Sequence, residues 1–221
     1  LVWRNVSEIT RLAVPEFTTG GFGALLGTYA IAEGFSPTSV VGNPDAADGP
    51  AGKTLYGDRQ PDFQYSFISE FNILQNFDLS FVLQGQSGGE AINLSAFLWD
   101  DGGTTPNWDG DDDNDGLFNG QERANAAFGE GNSGVWIEPT SYVKLREFGL
   151  YYTFPQTAID NIGFLDRLKL GVSANNVLLW TNYGSYDPEV SNFGAQPIAG
   201  GVEVTPYPTS RRFFFHIKAD F

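Results

Sequence analysis

With 221 residues, a formal net charge of −15 and only 12 Lys and Arg, the chain lacks the clustered cations that phosphate neutralisation needs, which excludes nucleic acid as a partner. The absence of cysteine excludes a disulfide framework, a thiolate metal site and a cysteine nucleophile. No run of about 18 apolar residues is present, so no transmembrane helix is expected, but a barrel stays open because its strands alternate and never look continuously hydrophobic. Aromatic residues make up 15% of the chain, and 27 Gly and 12 Pro supply turns. That balance predicts an all-β protein.

In chain order, Leu1–Leu12 reads as a strand from the first residue and no Met occurs, so the sequence is expected to be the C-terminal piece of something longer. Ala13–Gly20 is a short link broken by Pro15. Gly21–Glu33 is a second strand, and Gly34–Pro61 is long and irregular. Asp62–Leu74 alternates cleanly, with Phe63, Tyr65, Phe67, Phe71 and Ile73 on one face and Gln64, Ser66, Glu70 and Asn72 on the other. A tight turn at Gln75-Asn76 leads into Phe77–Leu94. Ser95–Pro139 is long again, Ser141–Phe154 is a fifth strand, Pro155–Leu165 a moderate link, Asp166–Trp180 a sixth strand and Thr181–Pro208 a long loop. In the terminal strand, Arg211–Phe221, residues Phe213, Phe215, Ile217, Ala219 and Phe221 share one face while Phe214, His216, Lys218 and Asp220 share the other. Its eleven residues match the roughly 9–11 with which a tilted strand crosses a bilayer.

The links run short, long, short, long, moderate, long. Strands joined in that rhythm form an antiparallel up-and-down meander with every long loop at one end, the asymmetry of outer-membrane barrels, whose periplasmic turns are short and extracellular loops long. Seven strands do not close such a barrel, and single-chain bacterial barrels use even numbers. Further strands are expected from another part of the protein or from a partner chain.

Several stretches carry a family resemblance. They are Gly57-Asp-Arg-Gln-Pro-Asp-Phe63 entering a strand, Ser141-Tyr-Val-Lys-Leu-Arg-Glu147 running on to Leu150-Tyr-Tyr-Thr-Phe-Pro155, Asn175-Asn176, Tyr186-Asp-Pro-Glu-Val-Ser191, and Tyr207-Pro-Thr-Ser-Arg-Arg212 before a terminal Phe. Gly23-Ala-Leu-Leu-Gly-Thr-Tyr29 and Gly88-Gly-Glu-Ala-Ile-Asn-Leu94 fit the same pattern. In this order they resemble the C-terminal barrel region of SusC/RagA-type TonB-dependent transporters of Bacteroidetes outer membranes. The resemblance implies a large plugged barrel that imports oligosaccharides or peptides, capped outside by a SusD-like lipoprotein and energised through TonB. Residues 1–221 would supply barrel wall and outer loops, the C-terminus would be periplasmic, and lipid would surround the wall. The plug and the TonB-contacting segment lie N-terminal in that family, and nothing in this sequence matches them.

Between Ala96 and Thr140 ten Asp and Glu stand against Arg123 alone. Within that acidic loop, Asp111-Asp-Asp-Asn-Asp-Gly-Leu-Phe-Asn-Gly-Gln-Glu122 fits the EF-hand pattern D-x-[DN]-x-[DN]-G-x5-E throughout. Asp111, Asp113 and Asp115 occupy positions one, three and five. Gly116 permits the sharp turn, Leu117 offers its backbone carbonyl, Asn119 sits where water often bridges, and Glu122 closes the shell bidentately. Oxygen ligands without His or Cys select Ca2+ or, less well, Mg2+. Thr104–Asp109 cannot form an entering helix, whereas Gln121–Phe128 can form a short exiting one, so the expected role is structural, ordering an exposed loop.

Paired carboxylates of the glycosidase kind are numerous enough by count, yet they concentrate in the loop already assigned to metal binding. His216 is the only histidine and falls on the polar side of the terminal strand with no nucleophile arranged beside it. Gly20-Gly-Phe-Gly23 lacks the context of a phosphate-cradling loop. Trp99, Trp108, Trp136 and Tyr183 suit either sugar stacking or packing within the loops. The chain is therefore read as a non-enzymatic transporter segment, the alternative being a secreted calcium-stabilised β-sandwich that binds carbohydrate.

Overall fold

The computed structural model describes residues 39–42, 54–126, 133–160, 163–189 and 202–221. The first two expected strands, Leu1–Leu12 and Gly21–Glu33, lie outside the described residues. In order, the elements are β1 (Ser39–Gly42), β2 (Thr54–Asp58), β3 (Phe63–Ile73), β4 (Phe77–Ser87), β5 (Glu90–Asn93), α1 (Leu94–Asp101), α2 (Asn119–Ala124), a 3-10 turn (Ser133–Trp136), β6 (Ile137–Pro139), β7 (Tyr142–Thr153), α3 (Gln156–Ile159), β8 (Arg167–Thr181), β9 (Val202–Glu203) and β10 (Arg212–Asp220). They form two compact units, one gathering Phe63–Ser87, Tyr142–Thr181 and Thr209–Phe221, the other the described parts of the remaining segments. No helix among the described residues is long and apolar enough to cross a membrane.

The first unit is a five-stranded antiparallel sheet in the order β3-β4-β7-β8-β10, so each strand pairs with the next one of the unit along the chain. This is the expected meander, seen over its last five strands. Three residues join β3 to β4, and two of them, Leu74 and Gln75, are left-handed at φ 51° and 65°, a conformation that follows the twist of the flanking strands.

Register keeps the two faces of this sheet apart. Phe71 pairs Leu79, which pairs Leu150, which pairs Val172, which pairs Phe215. One residue along, Asn72 pairs Asp78 and then Tyr151, Gly171 and His216 follow on the polar side. Sequence alternation breaks phase once in β7, where Val143 and Leu145 give way to Phe148, Leu150 and Tyr152. A bulge at Arg146 absorbs the shift. Leu145 stays opposite Leu83 and Leu178, while Glu147 meets Val82 and Asn175, since an extra residue on one strand restores the parity of those beyond it.

The second unit contains the β1-β2 hairpin and a small sheet in the order β6-β5-β9, with β5 antiparallel to β6 and parallel to β9. The long stretches 34–61 and 95–139, read as irregular, thus hold folded elements. Phe77–Leu94 is two strands and not one, because Gly88 and Gly89 sit at φ 82° and 86°, backbone that only glycine adopts at little cost. Asn93 caps α1, its Oδ1 accepting from the Ala96 N–H at 2.9 Å. Ile92, Leu94, Phe97, Trp136 and Val40 form the core, with the Phe97 and Trp136 rings 4.9 Å apart at 73°, an edge-to-face geometry. Ile92→Ala should lower the stability of this unit by about 2–5 kcal/mol through a cavity that β5 and α1 cannot close, read as lost hydrogen-exchange protection across residues 90–98 with the five-stranded sheet unchanged.

Candidate functional site

The acidic loop leaves α1 and returns through α2, and one buried carboxylate holds its two limbs. Asp100, 4% exposed, accepts from Arg123 Nε and Nη2, each at 2.7 Å, from Trp136 Nε1 at 3.0 Å and from the Thr105 hydroxyl. Burial by itself raises the Asp100 carboxyl. The hydrogen bonds from Arg123, Thr105 and Trp136, with the Arg123 charge, outweigh it and hold the group below the ordinary carboxylate range. Between the limbs, as expected, Thr104–Asp109 forms turns and no helix. Trp108 donates its Nε1–H to the Asp100 carbonyl at 3.0 Å and its ring lies 5.4 Å from that of Phe118. A Cβ on Gly120 would fall 2.1 Å from the Trp108 ring, so the first turn of α2 approaches the indole more closely than a side chain would allow.

Within 111–122 the loop folds around its own carboxylates. Asp111 Oδ1 and Oδ2 accept from the N–H groups of Asp115 and Gly116, each at 3.1 Å. Asp113 Oδ1 accepts from Asp115 N–H at 3.3 Å, and Asp115 Oδ1 accepts from Leu117 N–H at 2.7 Å. Asn114 and Gly116 are left-handed at φ 62° and 92°, and Gly116 makes the expected turn. One carboxylate oxygen from each of Asp111, Asp113 and Asp115 lies within 4.8 Å of the others. Partial desolvation, then the charges of Asp113, Asp115 and Asp111, raise the Glu122 carboxyl above its ordinary range, so the twelfth residue senses all three. Leu117 exposes its side chain. Asn119 is buried and faces inward: its Oδ1 accepts from Asp112 N–H at 3.2 Å and its Nδ2 donates to the Asn107 carbonyl at 3.3 Å, pinning the loop to the limb that precedes it. Three carboxylates, those of Asp111, Asp113 and Asp115, thus converge on solvent from a preformed turn, and Glu122 feels their charge without joining the cluster, an arrangement suited to a hard cation once the twelfth residue closes on it.

A second buried carboxylate, Glu203, organises the other end of the same unit. It accepts from Ser95 Oγ at 2.5 Å, Tyr183 OH at 2.6 Å and Ser185 Oγ at 2.7 Å. Burial and the neighbouring Glu203 charge push the Tyr183 hydroxyl far above its ordinary value, fixing it as a donor. Glu138 bridges Asn93 Nδ2 and the Gly184 N–H. Asp100 and Glu203 were not singled out by sequence. The available signal was Arg123, the one base in the acidic segment, which had to neutralise something buried. Trp136 and Tyr183 are loop core, Trp108 packs within the loop, and Trp99 stands edge-on to Tyr186 at 5.7 Å and 85°. His216 lies on the polar face of β10, 2.7 Å from Ser173 Oγ.

No protein-family model matches the chain. Among curated proteins it is similar to three TonB-dependent receptors of Formosa agariphila. P39 is 30% identical over 86 residues, covering 39% of this chain and 8% of the receptor. P3 is 25% identical over 183 residues, covering 77% and 17%, and P26 is 26% identical over 243 residues, covering 98% and 24%. Among solved structures it is similar to the RagAB peptide importer in its closed-closed state, with TM-score 0.51, 17% identity, and 77% of this chain and 18% of that one covered. The open-open state gives TM-score 0.51, 18% identity and 88% and 22% covered. The chain spans no more than 24% of the length of the curated relatives described. The resemblance to TonB-dependent transporters of the SusC/RagA type holds in these relatives, and the all-β antiparallel fold is that of the importer structures.

A carboxyl lowered on folding stabilises fully above its unfolded pKa of about 3.9 and loses that contribution as pH falls through its folded value. Hydrogen-exchange protection of residues 98–123 should therefore hold at neutral pH and fall on acidification below about pH 4. Asp100→Asn, which leaves Arg123 without its partner, should already have lost about 1.5–3 kcal/mol of protection at pH 7 and should show little further acid dependence.

Proposed function

We propose that this chain is part of the outer-membrane barrel wall of a TonB-dependent importer of the SusC/RagA kind, supplying wall strands and extracellular loops for the uptake of oligosaccharides or peptides. The observation that carries the reading is the apolar face of the five-stranded sheet, which is continuous across all five strands yet exposed: Phe67 is 56%, Phe213 68%, Ile217 77% and Phe215 87% exposed. A face of that extent is far beyond what a soluble monomer leaves in water, and a β-sandwich would bury it under a second sheet. Its ends are aromatic. Phe63, Tyr65 and Trp180 stand where the long connections leave, and Phe77, Tyr152, Phe154, Phe164 and Phe221 gather at the short turns, with Phe77–Tyr152, Tyr152–Phe154 and Phe164–Phe221 ring contacts of 4.6, 4.9 and 6.1 Å. Two aromatic bands bracketing an apolar belt suit the two interfaces of a bilayer. The likeness to the RagAB peptide importer supports a substrate-capturing SusD-like lipoprotein as partner and a peptide as cargo; oligosaccharide stays the other cargo of the reading. The curated relatives are receptors, which supports transport over catalysis.

In this reading the long loops are extracellular and the C-terminus periplasmic, with the plug and the TonB contact supplied outside residues 1–221. The acidic loop takes Ca2+ through Asp111, Asp113, Asp115 and Glu122, with the Leu117 carbonyl and water completing the shell, while Asn119, expected to hold that water, pins the loop from its buried side. The ion's work is to cancel repulsion among carboxylates in a loop that Asp100 and Arg123 already hold at both limbs.

Outer-membrane fractions extracted in detergent should contain this chain together with a plug-bearing segment and a large lipoprotein. Recovery as a free soluble monomer would overturn the reading. Calcium should protect residues 103–123 from protease with an affinity of the order of 10⁻⁴–10⁻³ M. Glu122→Gln should weaken that affinity roughly tenfold or more by calorimetry, and equal protection with and without chelator would remove the metal from the account.

A further inference from the structure

The polar face of the five-stranded sheet carries one cavity that the wall function leaves unexplained. About 340 Å³ in volume, it is lined by Arg146, Glu147, Asn175, Asn176, Ser210, Arg212 and Phe214, within β7 and β8 and at the start of β10. That volume lies within the ordinary range for small-molecule pockets. We infer that it is a substrate subsite for a carboxylate-bearing group, acidic peptide or uronic-acid sugar, with Arg146 and Arg212 as the carboxylate clamp.

Three features build the site. First, the bulge in β7 places Arg146 beside Glu147 on the polar face, where a regular strand would send one of the two outward. Bulges re-aim side chains in this way next to functional sites. Arg146 is then oriented by its Nε, which donates to Gln84 Oε1 at 2.7 Å. Second, β8 answers with Asn176 in the left-handed region at φ 53°, its Nδ2 donating to the Ser210 carbonyl at 3.3 Å. Ser210 Oγ in turn accepts from Arg212 Nε at 3.3 Å. Third, cross-strand register sets Glu147 opposite Asn175 and Asn175 opposite Arg212, so cation, amide and anion lie in one row across three strands, with Phe214 next to them on β10.

Among the described residues, two guanidiniums against one carboxylate line this cavity, in a chain whose formal charge is −15. Arg pairs carboxylates through parallel N–H groups, which orients as well as attracts the ligand. Glu147 rejects a second carboxylate and receives an amine or hydroxyl, the asparagine amides read the neighbouring peptide or sugar polar groups, and the Phe214 ring offers an apolar side. Peptide and uronate share this chemistry, and the test separates them.

The inference rests on the polar face being the inner wall of an importer, so the test begins with full-length protein extracted from the outer membrane. Triglutamate and trigalacturonate are titrated against it by calorimetry beside triglutamine and galactotriose. One acidic probe should bind roughly tenfold or more tightly than its neutral counterpart, with the preference weakening as salt rises. Arg212→Gln and Arg146→Gln should each remove that preference while leaving neutral binding in place, and Arg212→Lys should keep part of it. If outer-membrane protein binds acidic and neutral probes equally, or if the preference survives both glutamine variants, the subsite is overturned and the importer reading stands. Absence of the protein from the outer membrane overturns both.

Discussion

The separation of two faces in a five-stranded sheet is the constraint on which the rest of this structure depends. Apolar side chains pair only with apolar ones from Phe71 through Leu79, Leu150 and Val172 to Phe215, and the row beside it is polar from strand to strand. A single slip in register would exchange the faces of a whole strand. The chain meets this where its alternation changes phase, by bulging Arg146 out of the ladder and keeping Leu145 with its neighbours. The apolar belt, the aromatic bands at its ends and the cavity on the opposite side all follow from that one bookkeeping of parity.

The long connections solve a different problem. They are acidic and contain no cysteine, so neither crosslinks nor a large apolar core holds them. A small core around Ile92, Leu94, Phe97 and Trp136 is extended by buried carboxylates whose acceptors are filled by Arg, Trp, Ser and Tyr donors, as at Asp100 and Glu203. A carboxylate in such a place is tolerable only because it is hydrogen-bonded on all sides. Removing one partner therefore has effects out of proportion to one contact. The preformed turn over 111–122 hangs from this frame through Asn119 and Arg123, which lets a cation act on a loop already folded.

These two kinds of order divide the labour that the proposed importer wall would need. The sheet presents lipid-compatible surface on one side and polar groups on the other, and the long connections carry the features that depend on solvent and charge. In the proposed importer the polar cavity lies on the inner face of the wall, and among the described residues its lining is positive against an acidic chain.

Sequence alone determined four of the period-two strands to within a residue at each end, the long-and-short rhythm of connections and the twelve-residue acidic motif, because each is written in local spacing: β3 falls at Phe63–Ile73 within the expected Asp62–Leu74, β7 at Tyr142–Thr153, β8 at Arg167–Thr181 and β10 at Arg212–Asp220. The split after Ser87 was legible in Gly88-Gly89, though alternation continued past it. What only tertiary structure decided are the pairings between residues far apart in the chain. Asp100 looked like one acid among ten until Arg123, 23 positions on, and Trp136, 36 positions on, were placed against it. Tyr183 suited sugar stacking or loop packing alike until Glu203 accepted its hydroxyl. Arg146 and Arg212 stand 66 positions apart in the sequence, and no periodicity links them. Local spacing fixes which way a strand's side chains alternate, whereas burial and charge pairing depend on which strands and loops the fold brings side by side.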